Sequence, residues 1–262
     1  VEGGLEVPGR AAGSATMHTA GVVHGVTAMT RGVRYGLFLC ELPADGCKTV
    51  DLEYLVAPAE EQLRFFERAL GFLDAASDGL LHDCAREYHR FLLLETIQSD
   101  GTDGKQQAPS FEVELLWRAH LLSPVAYPRD CAALRGGKAH LIDHSPADTY
   151  VSRASTGPVA TPAGMPVAWH SELVASVRRQ EGFMRQMVAL RDAGLVSTTH
   201  ITEELESYRA FLCDAASVEQ ALAVPGLVLD LVWHTHMLHP RRYARESVAI
   251  SGRLIDHDDK KH

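Results

Sequence analysis

The chain has 262 residues, 46% of them hydrophobic, and a formal net charge of −9, which is enough apolar material for one large core or two modest ones. The acidic balance, with a pI near 5.8, and the absence of any Lys/Arg run longer than two disfavour a nucleic-acid or anionic-membrane surface. No stretch approaches the roughly 20 apolar residues of a membrane span.

Residues 1–56 are rich in Gly, Val and Thr, and GVVHGVTAM and GVRYGLFLCEL read as two short antiparallel strands around Thr30-Arg31-Gly32. After Pro58 the period changes. Leu63, Phe66, Leu70 and Leu73, then Leu81, Cys84, Tyr88 and Phe91–Leu92, recur at helical spacing and predict two helices that break near Ser77-Asp78-Gly79. Residues 145–168 are rich in Pro, Gly, Ser and Thr and read as a linker. Helical periodicity resumes at about 169–191 and again at about 202–215, with Thr202 as the expected N-cap. The five cysteines, Cys40, Cys47, Cys84, Cys131 and Cys213, are odd in number and widely spaced. They read as reduced thiols in an intracellular reducing compartment, with the organelle left open. The sequence lacks an initiator Met, and VEGGLEVPGR reads like the middle of a polypeptide.

The chain also repeats itself. Offset by 116 residues, FEVELLWRAHLLSPVAYPRDC (111–131) aligns without a gap on LVLDLVWHTHMLHPRRYARES (227–247). Glu114 falls on Asp230, Trp117 on Trp233, His120 on His236, Pro124 on Pro240 and Tyr127 on Tyr243. EYHRFLLL (87–94) resembles SYRAFLCD (207–214), and both units close on a common phrase, HLIDHS (140–145) and RLIDHDD (253–259). The expected architecture is therefore mainly α: a helical repeat at 57–144, the linker at 145–168, and a second repeat at 169–262.

Features shared by both copies read as architecture: an indole in the core, a proline at a helix end, a tyrosine behind it, and His120 and His236 each satisfied by a neighbour. The second copy differs by placing His234 where the first has Arg118, and His239 where it has Ser123. On a helix Asp230 and His234 share a face at i and i+4, whereas His236 lies about 200° around from His234. A metal site there needs a ligand from outside, and His257 with Asp256 or Asp258 is the evident source. Two readings stand: a zinc or iron site drawn from Asp230, His234, His239 and His257, or a buried Asp230–His234 pair that locks helix to helix.

DLVWHTHMLHPRRY followed by GRLIDHDD resembles the domain of the glycine-rich-domain-containing-protein family of plants and fungi, over roughly residues 57–262. The resemblance implies an all-helical module without an assigned reaction. The glycine-rich region that names the family is absent from this sequence.

The first segment carries a different resemblance. His24-Gly25, followed by Gly32, Arg34 and Tyr35, fits H-G-x-x-x-x-x-x-G-x-R-Y, which is similar to the closing strands of the jelly-roll barrel in Fe(II)/2-oxoglutarate dioxygenases of the prolyl-hydroxylase-like group. The resemblance implies that His24 is an iron ligand and that Arg34 grips the distal carboxylate of 2-oxoglutarate in a bidentate pair. Thr30 or Tyr35 would line the same pocket. It also implies an earlier HxD or HxE pair to complete the facial triad, and the sole earlier histidine is His18, in His-Thr-Ala. The sequence is thus expected to be the C-terminal part of a longer hydroxylase-like protein, without catalytic competence of its own. Its helical repeats, with apolar faces at 63–73 and 183–190, are expected to bind a protein partner. The alternative is a non-enzymatic interaction module, or a subunit of a larger complex, carrying a vestigial oxygenase segment.

Overall fold

The computed structural model describes residues 50–98, 108–138, 141–144, 150–151, 164–217, 225–257 and 260, all within a compact unit spanning Leu42–His262. Among these residues the fold is helical, and the only extended pairing is an isolated bridge between Ser110 and Val151. The expected strands, with His24, Thr30, Arg34 and Tyr35, lie outside the described residues. The β segment does not extend to residue 56: Glu53–Leu55 form a 3₁₀ turn, and Leu52 and Leu55 are buried in the helical core.

Eight α-helices follow among the described residues. α1 (Val56–Leu73), α2 (Asp78–Gln98), α3 (Phe111–Leu121) and α4 (Ala126–Leu134) belong to the first repeat; α5 (Val167–Asp192), α6 (Thr198–Ser217), α7 (Leu227–Met237) and α8 (Pro240–Ser251) belong to the second. Local chemistry sets their ends. The Ser77 hydroxyl accepts from the Leu80 amide at the start of α2, and the Ser110 hydroxyl accepts from the Val113 amide at the start of α3. Pro240 opens α8, where its missing N–H costs nothing. Gly252 closes the same helix at φ 77°, a left-handed conformation suited to glycine, and donates to the Val248 carbonyl. The expected cap at Thr202 is corrected: α6 starts at Thr198, and the Thr202 hydroxyl donates back to the Thr198 carbonyl from inside the helix.

α3 and α7 are the innermost helices. Every residue of α3 except Glu112 is buried, as is α7 from Asp230 to Met237, so their polar side chains must find partners inside the protein. The first helix of each repeat is exchanged in space. α1 packs on α5 and also on α6 and α7 of the second repeat, while α5 packs on α2 and α3 of the first. This exchange absorbs the apolar faces that suggested a protein partner. Leu63, Phe66, Leu70 and Leu73 are buried, as are Phe183, Met184 and Met187, and Phe66 meets Phe183 edge to face at 5.9 Å. No described helix is long and apolar enough to cross a membrane.

Candidate functional site

The two copies build the same hydrogen-bonded frame. In the first, the Trp117 indole N–H donates to the Tyr127 hydroxyl at 3.0 Å, which donates in turn to the Ile142 carbonyl at 2.8 Å. In the second, Trp233 donates to Tyr243 at 3.0 Å and Tyr243 to the Ile255 carbonyl at 2.8 Å. His120 takes the Tyr88 hydroxyl on Nδ1 at 3.0 Å and faces Asp130 with Nε2 at 3.3 Å. His236 takes Tyr208 at 2.8 Å and faces Glu246 at 3.2 Å. Burial lowers both imidazoles below their ordinary range, and the facing carboxylates oppose it only in part. These histidines belong to the architecture.

Behind each frame lies a second buried cluster, at positions equivalent between the copies but different in chemistry. In the first repeat Glu114 accepts from Arg118 Nε at 2.6 Å and from His144 Nε2 at 3.0 Å. The guanidinium also stacks over the Phe65 ring at 3.9 Å. Burial alone would raise the Glu114 carboxyl, but His144 and Arg118 outweigh it and hold the group at about 2. In the second repeat Asp230 stands 3.5 Å from His234 Nε2, and His234 Nε2 stands 3.1 Å from His257 Nε2. The Phe183 ring lies against His234 where Phe65 lies against Arg118. Burial pushes the Asp230 carboxyl up to about 7.

Each closing histidine also ties its repeat to the other. His144 Nδ1 donates to the Leu238 carbonyl at 2.7 Å, and His257 Nδ1 donates to the Leu122 carbonyl at 3.1 Å. Leu122 and Leu238 are themselves 116 residues apart, so the two ties form a reciprocal clasp. Between the clusters is a cavity of about 20 Å³ lined by residues of both repeats, among them Gln62, Arg118, Gln180 and His234. It has room for about one water molecule.

Of the residues singled out in the sequence, Asp230, His234 and His257 come together: one ligand atom from each lies within 4.8 Å of the others, and all three residues are buried. Among the described residues they are the one such set of three. His239 is not part of it. It is the residue before α8, with its ring edge-on to Tyr54 at 5.7 Å, and burial lowers it to about 4. Asp256 is also turned elsewhere, toward the Val125 amide at 3.4 Å. Sequence reading placed Tyr88 on a helix face but not against His120, and it missed Tyr208, although both sit at the same place in the matched phrases EYHRFLLL and SYRAFLCD. It also missed Asp130 and Glu246, an acidic pair at the 116-residue offset.

A duplicated helical module with two buried histidine–acid clusters per copy is the class that fold and site define. The chain belongs to the glycine-rich domain-containing protein-like family, whose model matches residues 44–130 and 146–246. It is 25% identical over 197 residues to glycine-rich domain-containing protein 2 of Arabidopsis thaliana, covering 64% of this chain and 24% of that protein. It is also 25% identical over 195 residues to glycine-rich domain-containing protein 1 of the same plant, covering 64% of this chain and 23% of that one. The chain thus spans about a quarter of the length of the curated relatives it matches. No solved structure matches it. The family match begins after His24, Arg34 and Tyr35, so the oxygenase resemblance draws no support from it.

Proposed function

We propose that residues 50–257 act without catalysis, as a rigid double-repeat module that serves as a structural and interaction unit within a longer protein. The observation that carries this reading is the enclosure of the polar interior. The buried His120, Glu114 and His236 of the two inner helices face Asp130, His144 and Glu246 from other elements, His234 meets His257, and His144 and His257 also donate to backbone carbonyls of the opposite repeat. The cavity between them holds about one water and no organic substrate. A partner of such a module would meet its outer helix faces.

The test uses the purified chain with Fe(II), ascorbate and 2-oxoglutarate. The module reading expects no succinate above a protein-free control. Succinate release that disappears in Arg34→Ala would replace it with the hydroxylase reading.

A further inference from the structure

The two buried clusters pose one electrostatic problem. A carboxylate at the core of a helical protein is costly unless a cation faces it. In the first repeat that cation is part of the chain: Arg118 on Glu114, one helical turn away on the same face of α3. At the equivalent place in the second repeat the side chain is His234, on Asp230, and the second neighbour is His257.

We propose that Asp230, His234 and His257, whose ligand atoms lie within 4.8 Å of one another, bind a divalent transition-metal ion of the zinc class at the place where the first repeat holds Arg118. The donor set is two imidazoles and one carboxylate, the nitrogen–oxygen chemistry that zinc takes, whereas magnesium and calcium call for six or more oxygens. The spacing agrees. Two donors on a tetrahedral zinc, each about 2.0–2.1 Å from the ion, stand about 3.3–3.4 Å apart. Here the His234–His257 and Asp230–His234 separations are 3.1 and 3.5 Å.

The tautomer agrees as well. A carbonyl can only accept, so His257 Nδ1 carries the proton that it gives to Leu122, and in the neutral ring Nε2 then presents its lone pair toward His234. A ligating histidine whose other nitrogen donates to a backbone carbonyl is the usual arrangement around a protein metal. His144 differs: both of its ring nitrogens face oxygen acceptors, which leaves none for an ion. Aromatic rings hold the ligands in place, with Phe183 against His234 at 4.7 Å and Trp233 edge-on to His257 at 4.9 Å. Three protein ligands leave one position of a four-coordinate ion for a water molecule. Because His257 is also tied to Leu122, the residue that ends α3, the ion would fasten the second repeat to the first through the Leu122 carbonyl.

The experiment is a zinc titration of the chelator-treated full chain, followed by calorimetry and by the thermal midpoint. The expected result is one tightly bound equivalent and a raised midpoint. Asp230→Asn and His257→Ala should lose both, while His239→Ala should keep both. His234→Arg places a guanidinium where the first repeat has one, so it should fold and lose all response to zinc. Cobalt(II) on the wild-type chain is informative even where a variant fails to fold: a low-coordinate site gives an intense visible absorption, and the weak spectrum of the hydrated ion would overturn the proposal. It would be overturned equally by a wild-type chain that binds no equivalent, by binding that survives both Asp230→Asn and His257→Ala, or by binding lost in His239→Ala.

Discussion

The first and second repeats can be compared atom by atom, because the same frame stands behind each. Trp117 and Tyr127 meet as Trp233 and Tyr243 do, and His144 reaches across to Leu238 as His257 reaches back to Leu122. What differs is the charge placed in the frame. Glu114 lies against a guanidinium and an imidazole, and Asp230 lies against the His234 imidazole, which in turn meets His257. One geometry thus holds two answers to a buried carboxylate. The second is where chemistry beyond folding should be sought, since it departs from what both copies need in order to fold.

The largest effects should come from the shared frame. Trp117→Ala and Trp233→Ala remove buried indoles and should each cost about 3–5 kcal/mol in chemical denaturation. Similar losses support equivalent frames, and a loss confined to one repeat would break the comparison. Arg118→Ala leaves Glu114 buried without its guanidinium and should cost roughly 3–5 kcal/mol, measured the same way. If this variant is as stable as the wild type, Arg118 is not the internal cation of the first repeat. Tyr127→Phe and Tyr243→Phe each strand an indole N–H and a carbonyl, with an expected loss of about 1–3 kcal/mol apiece; thermal denaturation of the pair side by side would show whether the copies respond alike.

A further effect is read by pH. The Glu114 carboxyl is held at about 2 in the folded chain against an ordinary value of 4.5. A depressed folded pKa contributes stability that is fully present above the ordinary value and lost as pH falls through the folded one. Between pH 4.5 and 2 the wild type should therefore lose stability that a Glu114→Gln variant, already less stable at pH 7, does not lose. Parallel acid profiles for the two proteins would contradict the pairing of Glu114 with Arg118 and His144.

Much of the helical part was legible in the residues. The 116-residue offset placed Trp, His, Pro and Tyr in matching positions before any helix was seen, because a duplicated unit must repeat its packing residues. The i, i+4 relation of Asp230 and His234 and the need for an outside ligand followed from helix geometry, with His257 and Asp256 or Asp258 of the tail as the source the sequence offered. The exchange of α1 and α5 was not legible. An apolar stripe at Leu63–Leu73 states that a face must be covered, and nothing local says whether a partner protein or the other repeat covers it. The reciprocal ties to Leu122 and Leu238 escaped for a related reason: backbone carbonyls leave no mark on sequence. The Thr202 cap failed because two preceding threonines and Ser197 offered an earlier start, and α6 took it. His239 was drawn toward the metal set by its spacing, but the break between α7 and α8 turns it toward Tyr54.

The most direct test of the comparison is to convert the first repeat into the second. In a Glu114→Asp/Arg118→His chain, His144 is already in place and tied to Leu238. Elemental analysis of the zinc-loaded, desalted protein should then give two zinc ions per chain, against one for the wild type and none for His234→Arg. Unchanged stoichiometry across all three proteins would contradict the claim that the two clusters are one site with two different cations.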